Sequence, residues 1–467
     1  MMNEEDLQEP EEWASKTFGP AELGDQRRTD RLVTMAAAIA LDPAACLPTA
    51  MRNWSDTRAS YRFLDTPEVT HAQIMMPHWM STRQLAAQRP CVLLVADTTE
   101  INLSAHQTTE GVGPVGQGLR GRGFYVHTLL ALDASTKQML GCAYQEPFVR
   151  QRAPKGETRA QRRKRARESQ IWERSAQQIG AAPTEVHWVH VGDRAADIYT
   201  FWQTCQQLGC DFVVRATQDR GVVAQEHEEP VDHEMDHLRQ LARRLPAQAG
   251  RLQHVRAEHE RKARDAWVQI SWSAIPIQPP VNGASLEPTE LEAWVIRAWE
   301  PEPPAGVEPL EWLLVSSVPV TSLEQAWERV EWYSWRWMLE DFHHVLKTGC
   351  QIENRQLRSV EALWRLLGIL TPTALRLLCL REIAQSAPET PATAVVSHEV
   401  VQVVTRLAKR PEAPLSAHEL WRTIASFGGY LNRKSDGPPG WKTLWRGWLY
   451  VQAVLEGVHL AASFPPS

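Results

Sequence analysis

Apolar residues fall into three patterns along this chain. From Glu12 to Leu64 they recur at helical spacing. Glu12 to Phe18 reads as a helix that stops at Gly19-Pro20, and Gly24-Asp25 opens a second with Leu32, Met35, Ala36 and Ile39 on one face. A shorter helix runs from about Asp56 to Leu64, ahead of Thr66-Pro67. After Pro90 the apolar residues come in short continuous runs, the mark of strands buried on both faces. Cys91 to Ala96 is such a strand and is expected to end at Asp97; Val126 to Leu132 and Met139 to Tyr144 follow, with a tight turn from Asp133 to Lys137 between them. A helix to about Gln178, the strand Val186 to Val191 ending in Asp193, a helix from Ala195 to Leu208 and the strand Asp211 to Arg215 complete an α/β core.

The third pattern begins near residue 216 and lasts to about 320. Alternation in Trp267 to Trp272, Leu291 to Trp299 and Trp312 to Val318 predicts antiparallel strands, an insertion in the core. A long helix then opens near Ser322, with Gln325 as capping-box partner. Helical spacing dominates the remainder, after a linker-like Ser386 to Pro391. Trp441, Trp445 and Trp448 form a stripe assigned to packing or a partner surface. The chain divides into a helical unit at 1–75, the α/β core at 76–385 with its β-rich insertion at 216–320, and a helical unit at 386–467.

Composition narrows the class. The longest apolar run, Leu366 to Leu380, is broken by Pro372 and Arg376, and the N-terminus is acidic. A soluble, cytoplasmic protein with no membrane partner is expected. Its seven scattered cysteines are expected to be reduced thiols, with no zinc-site spacing. The net charge of −6 argues mildly against a protein that coats polyanions, but charge is blocky: nine basic residues face two acids between Arg150 and Glu168. Arg27, Arg28 and Arg31 give the first helical unit a basic face, suited to DNA or to a plain helical cap. His227 and His233 lie in the acidic segment Glu226 to Asp236 and His237 directly after it, a stretch expected to be an exposed loop because the spacing suits no metal geometry.

The densest chemistry lies in the long helix. At about 100° per residue, Tyr333, Arg336, Glu340 and Lys347 project from one stripe about 60° wide. A carboxylate between two cations and a phenol suits a site that handles phosphate and a divalent metal; a solvated face is the plain alternative. Asp97 and Asp193 at strand ends, with Glu340 on the later helix, supply three hard-oxygen ligands for Mg²⁺ or Mn²⁺, two ions per site. Terminating a strand is the other reading of each aspartate, and Asp193 also precedes a helix.

These residues resemble those of bacterial cut-and-paste DDE transposases of insertion-sequence family four, the Tn-five type. Leu23-Gly-Asp-Gln-Arg-Arg-Thr-Asp-Arg-Leu32 and Ala59-Ser-Tyr-Arg-Phe63 resemble its DNA-binding region. Asp97-Thr-Thr99 and Gly121-Arg-Gly-Phe-Tyr-Val-His127 resemble the first acid and the next strand, and Asp193-Arg-Ala-Ala-Asp-Ile-Tyr199 the second acid. The helix stripe has the spacing of the YREK signature. Phe427-Gly-Gly429 and Gly440-Trp-Lys-Thr-Leu-Trp445 resemble the dimerisation region. The resemblance implies a ribonuclease-H-like core with Asp97, Asp193 and Glu340 as catalytic metal ligands. It implies that Tyr333, Arg336 and Lys347 grip phosphates, that Trp312 holds a flipped base and that Arg215 is a weaker phosphate contact. It further implies a homodimer that binds double-stranded DNA, both the terminal inverted repeats and the target, in a bacterial nucleoid. Ala195 stands where the family often has glutamate, which implies altered tuning rather than lost activity. The alternatives are a catalytically silent DNA-binding regulator or domesticated relative, and a nuclease of the same fold without strand transfer.

Overall fold

The computed structural model describes residues 10–463 except 152–153, 155, 159–160, 162–166, 223–235, 256–263, 280–290, 387–388, 395, 411–413 and 434–435. Much of the basic run after Arg150, together with His227 and His233, lies outside the described residues.

Short polar side chains start the N-terminal helices. After α1 (Pro10–Phe18), Asp25 accepts from Arg27 N at the start of α2 (Gln26–Leu41). Beyond α3 (Leu47–Met51), Asn53 caps α4 (Trp54–Leu64), and Thr70 with Gln73 makes a capping box for α5 (His71–Ala86). Trp13, Phe18, Leu32, Met35, Ile39, Phe63 and Leu64 are buried between these helices, which explains the helical spacing of apolar residues there.

The β-strands are β1 (Cys91–Asn102), β2 (Gly113–Val115), β3 (Gly121–Asp133), β4 (Met139–Phe148), β5 (His187–Gly192), β6 (Asp211–Arg215), β7 (Gly221–Val222), β8 (Asp236–His237), β9 (Ala249–Val255), β10 (Arg264–Ile277), β11 (Leu291–Trp299) and β12 (Glu311–Ser316). Core strands lie in the order β4-β3-β1-β5-β6, the first two pairings antiparallel and the last two parallel, forming a ribonuclease-H-like core. The inserted strands extend this sheet, because β12 pairs antiparallel with β6 and leads to β11 and β10. Connecting helices are α6 (Ile171–Ile179), α7 (Tyr199–Gln207) and α8 (Leu238–Arg244). They are followed by α9 (Leu323–Ser334), α10 (Trp337–His344) and α11 (Val360–Ser386), then α12 (His398–Leu407), α13 (Ala417–Phe427) and α14 (Trp441–Ser463).

Alternation along β3 shows what covers the sheet. Thr128 Oγ1 accepts from Gln145 Nε2, whose amide oxygen meets His71 of α5 and Thr371 of α11. Its neighbour His127 points the other way, onto Ser175 and the ring of Trp172 in α6. Helix α11 is apolar enough over Val360–Cys379 to cross a membrane by composition, yet 94% of that window is buried inside the molecule. At the far end, α13 and α14 meet backbone to backbone: a Cβ on Gly447 would lie 1.7 Å from Ile424 O, and one on Gly428 1.9 Å from Thr443 O.

Two expectations need correction. Strand β1 does not end at Asp97 but runs to Asn102, because β3 keeps pairing with it as far as Asn102↔Gly123; it is β5 that stops there. The long helix is not continuous. It tightens at Trp335-Arg336, where Arg336 N reaches Tyr333 O at 3.1 Å and Met338 N reaches Trp335 O at 3.0 Å, and it loosens into a π-turn at Val345–Gly349.

Two buried arginines join the helical unit to the core. Arg365 of α11 donates to Leu64 O at 2.8 Å and to Val69 O, while Arg355 donates to Cys350 O, Pro43 O and Ala45 O. Removing either side chain strands buried carbonyls, each worth about 1–3 kcal/mol when unpaired.

The strand ends opposite Asp97 carry another polar link. His187 Nε2 of β5 pairs with Asp211 Oδ2 of β6, and Ser317 Oγ donates to Asp211 Oδ1 at 2.6 Å. The Asp211 hydrogen bond, aided by the Cys91 contact and opposed by partial burial, pushes His187 up to about 9 from 6.5. Because the folded-state value is raised, this stabilisation is complete below pH 6.5 and disappears as pH rises through about 9. The thermal midpoint should therefore fall by about 1–2 °C over that window. In a His187→Gln variant that part of the pH profile should flatten, and an unchanged profile would remove the pair from the account.

Candidate active site

Parallel pairing fixes the floor of the site. Ala96 is in register with Gly192, and Gly192 with Val214. The next residues, Asp97, Asp193 and Arg215, therefore stand side by side at one end of three adjacent strands. The structure places the two aspartates together as the sequence implied, although only Asp193 follows a strand end.

Each acid has a local anchor. Asp97 Oδ1 accepts from Thr98 N at 2.7 Å, and Asp193 Oδ1 accepts from Ala195 N at 2.8 Å, capping the short turn Arg194–Ala196. Burial, then the charge of Asp193, push Asp97 up to about 6; Arg336 and the Thr98 amide oppose the rise, and Glu340 adds to it. Thr98 Oγ1 lies 2.8 Å from His127 Nδ1, and His127 Nε2 3.3 Å from Ser175 Oγ. Burial drives His127 down to about 3, so this imidazole is neutral and serves as a hydrogen-bonding strut behind the acid.

Arg336 joins the helix to the sheet. Its Nη1 donates to Asp97 Oδ2 at 2.9 Å, and its Nη2 donates to Glu340 Oε1. Burial works against the guanidinium's charge, but Tyr333, Asp97 and Glu340 outweigh it and raise its pKa. Tyr333 is buried, and Glu340 is about half exposed. Lys347, in the π-turn, lies 4.0 Å from Glu353, whose Oε1 accepts from Asn102 N at 2.9 Å. The four residues of the helix stripe thus part into a cluster of Tyr333, Arg336 and Glu340 and a separate Lys347–Glu353 pair.

Arg215 and Trp312 sit on paired strands at the same end of the sheet. Arg215 Nη2 donates to Glu311 O at 3.0 Å, which turns that guanidinium toward the β12 backbone. Trp312 is partly buried and packs against the core.

The basic face of the helical unit differs from expectation. Arg28 donates to Leu23 O at 3.1 Å and approaches Glu68 at 3.4 Å, while Arg31 pairs with Asp56 at 2.7 Å. Arg27 is the most exposed of that trio, with 93% of its side chain accessible, and it lies 3.9 Å from Asp25. The outer side of α4 instead presents Trp54, 77% exposed, with Tyr61, Arg58 and Arg62 at helical spacing. Neither Arg58 nor Arg62 has an acidic partner among the described residues. The helical spacing of Trp54, Arg58, Tyr61 and Arg62 is a signal of this face in the sequence, whereas the acids that engage Arg28 and Arg31 are set by the fold.

Asp197, in the same motif as Asp193, has a structural task. Its buried carboxylate accepts from Thr217 N and Gln218 N at 2.6 Å each and pairs with Arg220, which lies over Trp202. This fixes the loop that leaves β6.

The donor chemistry fits a divalent cation: three carboxylates, two of them on adjacent strand positions, offer hard oxygens. Asp97 feels the charges of both other acids, as ligands of one ion pair would. Among the described residues, however, no three such side chains converge into a ready-made metal group, and Arg336 lies across two of the three.

Comparison with known families covers most of the chain. Residues 10–69 match the model for transposase DNA-binding, 168–375 that for the transposase DDE domain, and 373–466 that for the transposase Tn5 dimerisation domain. The DDE match includes Asp193 and Glu340 and begins after Asp97. A DDE domain carries nuclease or transposase chemistry that depends on a divalent metal, and the flanking matches bring DNA binding and dimerisation. With this domain order wrapped around a ribonuclease-H-like sheet, the chain belongs to the Tn5-type DDE transposases.

Proposed function

We propose that this transposase works by cut and paste: a homodimer pairs two element ends, cleaves them through a hairpin and joins the freed 3′ ends to target DNA. The observation that carries this reading is the strand register, which sets Asp97 beside Asp193 beneath a helix bearing Arg336 and Glu340. In it, residues 1–75 bind the ends, 76–385 cut, and 386–467 dimerise.

Asp97, Asp193 and Glu340 would hold two Mg²⁺ or Mn²⁺ ions, which activate an attacking oxygen and stabilise a leaving one in an in-line transfer. Arg336 is suited to a phosphodiester because its planar fork matches two phosphate oxygens. Tyr333 backs the guanidinium from its buried side, and Lys347 adds a point charge further along the strand path. Trp312 offers a stacking platform, worth about 1–3 kcal/mol per base, against the few kcal/mol needed to unstack one. The outer face of α4, with Arg27 close by in sequence order, supplies cations and an aromatic ring for the backbone of a terminal repeat.

In assays on a duplex carrying the terminal repeat, Asp97→Asn, Asp193→Asn and Glu340→Gln should each reduce strand cleavage below detection while gel-shift binding persists. Wild-type cleavage in any one of them removes that carboxylate from the assignment. An intact protein that binds the repeat and never cuts it would favour the regulator. Arg58→Ala with Arg62→Ala should lower the slope of log affinity against log salt by about 2, near 0.9 per lost phosphate contact. Arg31→Ala, which unpairs Asp56, should reduce thermal stability and leave that slope near its original value.

A further inference from the structure

Arg336 occupies the oxygens that a metal would need. One nitrogen of its fork donates to Asp97 Oδ2 at 2.9 Å and another to Glu340 Oε1. The second oxygen of Asp97 is already engaged by Thr98 N at 2.7 Å. A divalent ion binds carboxylate oxygens at about 2.0–2.6 Å, so ion and guanidinium compete for Asp97 Oδ2, for Glu340 Oε1 and for the same negative charge. Three mutually repelling acids in a partly buried site need a cation at all times, and the chain supplies its own.

Arg336 also stands at a joint. The helix tightens at this residue, with three-residue hydrogen bonds on both sides, between α9 and α10. Tyr333 and Trp335 beside it are buried, while the Arg336 side chain is about one-fifth exposed. A phosphodiester presents the same paired-oxygen geometry as the carboxylates it would replace.

Taking Asp97 and Glu340 as metal ligands, we propose that Arg336 is an internal counter-ion that keeps both carboxylates closed to metal until a DNA phosphate draws the guanidinium away. Metal loading and DNA engagement are then thermodynamically linked, each favouring the other. The DNA-free enzyme stays metal-poor, which restrains cleavage before an end is in place.

The test is Mn²⁺ binding by the full-length, DNA-free protein, followed by electron paramagnetic resonance of free Mn²⁺. If the closed arrangement holds about nine molecules in ten, apparent affinity is reduced about tenfold, so Arg336→Gln should bind Mn²⁺ about tenfold tighter than wild type. Adding Asp97→Asn to that variant should abolish the gain. Equal or weaker binding by Arg336→Gln, with binding still lost in the single Asp97→Asn variant, overturns the counter-ion and leaves the ligand assignment standing. Retained tight binding in the double variant overturns both. Arg336→Met, with a thermal midpoint compared with wild type, repeats the measurement should the glutamine variant fold poorly.

A second arm needs no metal. In EDTA, Asp97→Asn frees Arg336 and should tighten binding of a blunt 30-bp duplex severalfold, by fluorescence anisotropy. That gain should vanish when Arg336→Gln is also present. A gain of equal size with or without Arg336 overturns the proposed exchange.

Discussion

Two aspartates forced together by parallel strand pairing are the constraint around which this molecule is arranged. Register brings Asp97 and Asp193 level, backbone amides of Thr98 and Ala195 fix one oxygen of each, and the remaining repulsion has to be met by something positive. The chain meets it with Arg336, which also draws Glu340 into the group. Much of the surrounding structure serves that juxtaposition. The His127–Ser175 strut backs the strand beside Asp97, the Asp197–Arg220 pair fixes the loop beyond β6, and Glu353 links Lys347 to the end of β1.

The core was largely legible from residues alone, for a physical reason. Strands buried on both faces, such as Cys91 to Ala96, must be almost continuously apolar, and few other environments demand that. Leu291 to Trp299 was legible by the opposite rule, since its faces alternate between buried and less buried positions. What escaped the sequence was decided by partners far away in the chain. Asp97 looked like a strand end because apolar residues stop there, yet β3 carries the ladder on to Asn102. The joint at Trp335-Arg336 has no proline or glycine to announce it; its arginine reaches a carboxylate 239 positions earlier.

The candidate site shows the same division. Residue types and spacing point to the acids and the arginine that the fold brings together, because metal and phosphate chemistry restricts the choice of side chain. Charge counts said less about DNA contact. Arg28 and Arg31 are as basic as Arg58 and Arg62, but the first pair is committed to Leu23, Glu68 and Asp56 inside the helical unit. Whether a cation is available to a phosphate depends on which carboxylate folding has put beside it.

The two arginines that seat the helical unit on the core take hold of main-chain carbonyls only: Leu64 and Val69 for one, Pro43 and Ala45 for the other. A carbonyl is present whatever side chain the residue carries. The unit's outward residues can therefore change through mutation without loosening its seat on the core. Such docking separates evolutionary freedom on the DNA-binding surface from constancy in the DDE domain beneath it.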